Sequence, residues 1–465
     1  MRRNRCVFLL AMALACGGSS SDSGKDAVSK DGIAAPDEGA AGETTAGSET
    51  GPGLEVSGEV SAQGVEEARS ALERQEAPAV PDADKKALGE GNLGFALDLY
   101  KKLVERDGDC FIAPISVSVA MAQAWAGAKG KTADEIAQVM HFTLPEEKFH
   151  PAMNALDQEL EGRGNEQVQE GEPFKLSIVN ALWGQKGYPF EQAYLDLLAT
   201  NYGAGLNLVD FIANAEAARQ AINAWVASET NDRIKNLLGP GSVDESTRLV
   251  LTNAIYFKAG WFNKFKKELT AEKDFHRLDG SVVKVKMMEM ETMASLPHFK
   301  ADDYEAVALP YVGEKVAMLV ILPGPGKFES FEKGLDGAKF VEVLSSLKEE
   351  YGRVALPRFG MEYKASLAEV FKALGMVEPF SAQADFTGIS KTGELSISDV
   401  VHQTFVAVDE EGTEAAGATA VVFPGAGPGP QPEPFSMVVD RPFIFAIVDL
   451  PTRAVLFLGR MSDPS

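Results

Sequence analysis

Leu93, Ala96, Leu99, Tyr100 and Leu103 recur every three or four residues, the spacing that aligns side chains on one face of an α-helix, and predict an amphipathic helix there. Thr132-Ala133-Asp134-Glu135 reads as a capping box that opens a second helix running to about Met140. Helical patterning prevails from there to about Leu238. Leu249 to Phe257 is nearly all apolar and predicts a strand buried on both faces. Strand patterns then dominate: Val282 to Met288, Tyr304 to Leu309, Ala317 to Leu322 and Arg353 to Pro357. Tyr363 to Leu374 reads as a return to helix with Gly375 as its C-cap. Two apolar strands, Phe443 to Asp449 and Ala454 to Arg460, close the chain through Pro451-Thr452-Arg453. Helices first and strands later give an α+β class, and no internal repeat is present.

The first 84 residues follow another pattern. Arg2, Arg3 and Arg5 precede a short apolar run from Cys6 to Ala15, which reads as a signal peptide over residues 1–15 and is too short to span a bilayer. Ala13-Leu14-Ala15-Cys16-Gly17 resembles a bacterial lipobox, with Ala13 where Leu is usual. It predicts lipidation at Cys16, ordinary cleavage near Ala15 being the other reading. Residues 16–84 are mostly Gly, Ser, Ala, Asp and Glu with few large apolar side chains, so they are expected to be a disordered acidic linker. The folded domain is then expected over 85–465, on the surface of an outer membrane or free outside the cell.

One stretch near the C-terminus fits neither core nor linker. Val408-Asp409-Glu410-Glu411-Gly412-Thr413-Glu414-Ala415-Ala416-Gly417-Ala418-Thr419-Ala420-Val421-Val422-Phe423 runs from acidic to small to β-prone residues. In a strand Thr413, Ala415, Gly417 and Thr419 share one face, all small enough to slip between existing strands. Glu414, Ala416, Ala418 and Ala420 are on the other, which is expected to face water. The segment reads as a loop able to become a strand.

Seven blocks, this one included, resemble the serpin family in order and spacing, over roughly residues 85 to 465. The others are Pro114 to Met121, Gly127 to Ile136, Ile222 to Leu238, Leu249 to Trp261, Ala384 to Ser390 and Val439 to Phe445. The resemblance implies a fold of helices plus three β-sheets with a mobile reactive loop, hinged at Glu410, Gly412, Thr413, Glu414, Ala415, Ala416, Gly417 and Ala418. It puts Ser116, Asn253 and His402 in the family's shutter beneath the main sheet and Trp261 at the top of the seam that opens. It implies a suicide substrate for serine endopeptidases, with cysteine endopeptidases as a secondary target class, that carries its loop into the main sheet after cleavage. Family spacing from Glu410 puts the reactive bond at Ala426-Gly427, while counting back from Pro442 puts it near Gln431. Bonds preceding Pro424, Pro428, Pro430 and Pro432 are poor substrates because proline fixes φ and lacks an N–H. Ala426-Gly427 suits an elastase-like or subtilisin-like protease. The contrasting reading is a non-inhibitory binding or scaffold lipoprotein on the same fold.

Composition narrows the partners. With 68 acidic against 44 basic residues the net charge is −24, which argues against nucleic acid and anionic membranes and leaves a lipid anchor as the only membrane contact. Lys264, Lys266 and Lys267 read as a solvated face. Of three cysteines only Cys110 falls in the expected domain, so no disulfide within it is possible and a buried thiol is expected. There is no Gly-x-Ser-x-Gly, His-Glu-x-x-His, Cys-x-x-Cys or phosphate loop, and none of the five histidines has a partner at metal-ligand spacing. A monomer without cofactor or metal, and not an enzyme, is expected.

Overall fold

The structure is a computed structural model that describes residues 65–163, 175–230, 232–413 and 433–465, all within one compact unit. Its first half comprises β1 (Glu66–Ala68), α1 (Asp82–Asp107), β2 (Phe111–Ile112), α2 (Pro114–Trp125), α3 (Gly130–Val139), α4 (Glu146–Arg163), β3 (Lys175–Gln185), α5 (Gln192–Tyr202), β4 (Leu206–Val209), α6 (Phe211–Glu229) and β5 (Leu249–Gly260). The second half is strand-rich: β6 (Ala271–His276), β7 (Val282–Glu289), β8 (Ala294–Lys300), β9 (Tyr304–Pro310), β10 (Val316–Pro323), α7 (Phe328–Gly334), α8 (Gly337–Ser346), β11 (Lys348–Pro357), β12 (Phe359–Ser366), α9 (Ala368–Leu374), β13 (Ile397–Val408), β14 (Gly412–Thr413), β15 (Phe435–Val438), β16 (Phe443–Asp449) and β17 (Val455–Met461).

One sheet has the order β1-β4-β3-β5-β14-β13-β12. The other strands form one ladder, β2-β17-β16-β10-β9-β8-β11-β7-β6, with β15 on β11. The second and third sheets expected are thus hydrogen-bonded together. Lys348–Gly352 of β11 pair with β8 and Ala355–Pro357 pair with β7, so one long strand crosses from one group to the other. The main core lies between the two sheets around α2, whose twelve residues are all buried. Such a helix has no solvent face and is mostly apolar on every side, with Ser116, Ser118 and Gln123 as its buried polar residues. A second, smaller core lies under α6, where Ile222 and Val226 cover Trp183, Val250, Ala254 and Val401. Leu249, Leu251, Ile255 and Phe257 belong to the main core, so β5 is buried on both faces as its sequence predicts.

Several expectations need correction. The stretch read as helical to Leu238 contains β3 and β4; Val179, Ala181 and Trp183 of β3 face the second core while Leu182 faces the main one, and this double burial erases alternation. Tyr363 to Ser366 is the end of β12, which alternates buried and exposed residues; helix resumes only at Ala368, though Gly375 does cap it in the left-handed region. Thr132 is inside α3, not at its N-cap, and its hydroxyl accepts from the Asp385 N–H at 2.8 Å. Glu135 likewise accepts from the N–H groups of Val377 (2.7 Å) and Glu378 (2.6 Å), so the pair ties α3 to a distant loop.

The ordered fold also begins earlier than residue 85. β1 pairs antiparallel with β4, Glu66 opposite Leu208. Arg74 then donates to Asn154 at 2.8 Å and forms a half-buried ion pair with Asp157 at 2.5 Å. Among the described residues, no helix is long and apolar enough to cross a membrane, and no group of three His, Cys, Asp or Glu side chains could hold a metal ion. Cys110 is buried and is not part of a disulfide.

Candidate functional site

The site is a seam between two central strands. β5 and β13 run parallel and pair directly from Leu249 opposite Ile397 to Tyr256 opposite Phe405. Beyond that point they part, and Gly412–Thr413 is wedged between them as β14. Gly412 pairs with Gly260, and Thr413 pairs with Ala259 on one side and Val408 on the other, antiparallel to both strands. Asp409 makes the turn by accepting from the N–H groups of Glu411 (2.9 Å) and Gly412 (3.2 Å). Only glycine fits at 412: a Cβ there would stand 2.1 Å from the Ala259 carbonyl oxygen, at φ +155°.

Side chains hold the wedge. Thr413 has no exposed surface, and its hydroxyl bonds the Tyr311 hydroxyl at 2.8 Å. The Tyr311 ring stacks on Trp261 with centroids 4.6 Å apart, and the Trp261 indole N–H donates to the Asp409 carbonyl at 2.9 Å. Glu410 is buried and accepts from the Thr270 hydroxyl at 2.7 Å. Glu411 pairs with Lys264 at 3.0 Å and Lys267 at 3.2 Å; the hydrogen bond from Lys264 is the main cause of its lowered pKa. Lys266 pairs with Glu291. The three lysines are therefore not a free solvated face, since two of them clasp the segment that leads into β14.

Lower in the seam the strands are locked by a buried polar cluster. Asn180 on β3, Asn253 on β5 and His402 on β13 are cross-strand neighbours in one row. Asn253 donates its two amide hydrogens to the Ser116 hydroxyl and to Asn180 Oδ1, both at 2.5 Å. The Ser116 hydroxyl donates to Asn180 Oδ1 at 3.1 Å, and the Asn180 amide returns to the Ser116 carbonyl at 3.0 Å. The Ala113 N–H donates to His402 Nε2 at 3.2 Å, which leaves Nδ1 to carry the ring hydrogen and donate to Asn253 Oδ1. Both ring nitrogens are thus used in the neutral form, and complete burial holds the imidazole down at about 3. Each polar group has its partners, so parting β5 from β13 here breaks a satisfied network.

Comparison with known proteins identifies the frame. The profile of the family described as "Serpin (serine protease inhibitor)" matches residues 90–464, most of the chain. The chain belongs to the serpin family. An uncharacterized serpin-like protein of Thermococcus kodakarensis is 41% identical over 371 residues, covering 80% of this chain and 84% of its own. A leukocyte elastase inhibitor of Bos taurus is 37% identical over 391 residues, covering 81% of this chain and 99% of its own. Among solved structures, the native state of the thermophilic serpin tengpin superposes with a TM-score of 0.73 at 26% identity, covering 84% of this chain and 97% of that one. Uncleaved ovalbumin gives 0.70 at 29% identity, covering 81% and 100%.

Within this serpin, Ser116, Asn253 and His402 come together in one cluster, and Trp261, Glu410, Gly412 and Thr413 come together some way above it. Glu414, Ala415, Ala416, Gly417, Ala418, Ala426, Gly427 and Cys16 lie outside the described residues. Sequence reasoning missed Asn180, Tyr311 and Thr270. Asn180 had a signal, a lone amide in the apolar run Val179 to Trp183, but that run was not read as a strand. Tyr311 and Thr270 had none; only the fold brings them to the hinge.

Proposed function

We propose that this serpin inhibits serine endopeptidases as a suicide substrate, by carrying its cleaved loop into the seven-stranded sheet. Loop insertion in serpins is an established case of strand addition and of a strain-releasing switch. The observation that supports it here is β14: the first two residues of the loop already occupy the place between β5 and β13 that an inserted strand would take. Continued without a shift, this register sets residues 414–423 opposite Lys258 to Leu249, so Phe423 reaches the end of β5 and Pro424 falls just past it. Proline lacks the N–H a central strand needs, so the insertable stretch and the strand that receives it end together. The same register brings Thr419 between Asn253 and His402, a hydroxyl where the seam's polar cluster would be parted. Ten residues at about 3.3 Å each would drag an acylated protease roughly 30 Å.

The cut at Ala426-Gly427 suits a protease that prefers small residues, in keeping with the elastase inhibitor among the relatives. The test is incubation with an elastase-like and a subtilisin-like protease. A covalent complex that survives denaturing electrophoresis is expected, with a C-terminal fragment whose mass places the cut. Complete cleavage without complex against both would overturn the proposal. Export with lipidation at Cys16 also belongs to this reading, and incorporation of labelled palmitate in the natural chain but not in Cys16→Ala tests it.

A further inference from the structure

β15 fastens the chain again after residue 432. Among the described residues it is hydrogen-bonded to one neighbour alone, β11, over four residues from Phe435 opposite Gly352 to Val438 opposite Ala355. A short parallel edge strand of this kind holds weakly by its backbone. Its first side chain adds a specific grip. The Phe435 ring lies over Gly352, where an added Cβ would stand 2.2 Å from it. The ring also packs against the main core and stacks on the imidazole of His298 on β8, with centroids 3.8 Å apart and planes within 1°.

His298 is 2% exposed and is held between two carboxylates. Its Nδ1 is 2.7 Å from Glu350 on β11, and its Nε2 is 3.0 Å from Glu305 on β9. Carboxylates at neutral pH only accept, so both bonds exist together only when both ring nitrogens carry hydrogen. Other charges nearby are Lys300 on β8, which shares Glu305 at 3.1 Å, Lys348 directly opposite His298 on β11, and Glu433 two residues before Phe435; the β9 residue opposite His298 is the apolar Val307. Burial pulls the imidazole pKa down, but the two carboxylates outweigh it and the net shift is upward.

We propose that His298 and Phe435 form a proton-operated latch on β15: the imidazolium, clamped by Glu305 and Glu350, grips the Phe435 ring, and loss of its proton loosens β15 from β11. A desolvated cation against an aromatic face is the stronger form of this contact. The folded state binds this proton more tightly than the unfolded chain, so the contribution is complete below about pH 6.5 and is lost as pH rises through the folded value. Because β14 and β15 flank residues 414–432, the latch sets how firmly the second end of that segment is fastened, whether or not a protease is inhibited.

Hydrogen–deuterium exchange of the full chain at pH 6.0 and 8.5 tests it, corrected for intrinsic exchange and referenced to peptides of β16. Protection of peptides covering 433–440 is expected to fall roughly 3- to 30-fold in the natural chain. It is expected to be equal at the two pH values, and low, in His298→Gln and Phe435→Leu. No fall in the natural chain, or the same fall in His298→Gln, overturns the proposal. Should the variants fail to fold, nitrogen–proton correlation spectra of the natural chain decide: His298 protonated on both nitrogens at pH 6.5 supports the latch, and a neutral ring there refutes it.

Discussion

Replacing Thr413 by Arg tests the insertion mechanism at its first step. Thr413 has no exposed surface, and its hydroxyl is the partner of the buried Tyr311 hydroxyl. A guanidinium at that position would be set against Tyr311 and Ala259 of the main core. Keeping an unpaired charge there costs several kcal/mol. Expelling β14 instead strands the Tyr311 hydroxyl and costs about 1–3 kcal/mol. Expulsion is the cheaper response, so the variant folds with β14 out of the sheet. Insertion must then start by taking the charge inward, which raises its barrier by roughly 3 kcal/mol and slows it about a hundredfold. Cleavage and deacylation take place at a bond well away from residue 413 and should keep their rates. Inhibition is a race between insertion and deacylation, so the moles of Thr413→Arg consumed per mole of protease silenced should rise roughly 10- to 100-fold. Titration of protease activity, with densitometry of complex against cleaved product, gives this ratio directly. Thr413→Ser keeps the hydroxyl and should match the natural chain. If Thr413→Arg traps protease as efficiently as the natural chain, Thr413 does not enter the sheet and the mechanism is wrong.

Gly412→Ala drives a methyl into the Ala259 carbonyl and should lower the free energy of unfolding by about 1–3 kcal/mol, read from denaturant midpoints. His402 and His150 are held by burial at about 3 and about 4, below the ordinary 6.5, so the unfolded chain binds protons the folded one refuses. Stability should therefore be complete above pH 6.5 and fall as pH drops toward 3, with a slope approaching two protons near pH 5; guanidinium titrations at several pH values measure it, and a flat profile contradicts the burial argument. Thr419→Val should leave the melting of intact protein unchanged. It should lower that of cleaved protein, because the proposed inserted strand then offers no hydroxyl to Asn253 and His402; equal melting of both cleaved forms excludes the register. Removing residues 1–80 should lower stability by roughly 2–4 kcal/mol through loss of β1 and the Arg74 network, whereas removing residues 1–64 should not; calorimetry on both truncations distinguishes them.

What could be read from the sequence depended on whether a residue's partner was nearby in the chain. The 3.6-residue period of α1 and the unbroken apolar run of β5 are local and were legible. So was Gly375, whose left-handed φ ends α9. β12 shows a clean alternation that should have been read as strand; the helix-forming residues after Ser366 drew the reading forward. Thr132 and Glu135 have capping-box spacing, yet their partners are some 240–250 residues away, and no local pattern distinguishes the two uses. β1 is the extreme case. Glu66-Glu67-Ala68 has no strand propensity, and it is extended only because the free edge of β4 pairs with it. The shutter residues were recognised through family likeness, while the fourth member, Asn180, needed the register of β3 against β5 to be seen.

The topology also gives the proposed insertion its direction and explains a pattern that composition left open. In the present structure each row of the seam holds one parallel pairing of β5 with β13. An inserted residue replaces it with two antiparallel pairings, as Thr413 already does against Ala259 and Val408. Every step exchanges one weaker ladder for two stronger ones, so the gain accumulates along the seam and its top is where it begins. The alternate face of the inserted stretch would not meet water, as its sequence first suggests. Ala418, Ala420 and Val422 would lie opposite Ala254, Thr252 and Val250, beneath the cover of α6. Alanine at the first two of these positions is what a strand needs to pass under Ile222 and Val226 without displacing them. Glu414, the one charge, falls instead opposite Lys258, above that cover, where an opposite-charge cross-strand pair is favourable. A merely flexible linker has no reason to put its charge, its alanines and its first proline at those three places, whereas a strand cut to the length of β5 does.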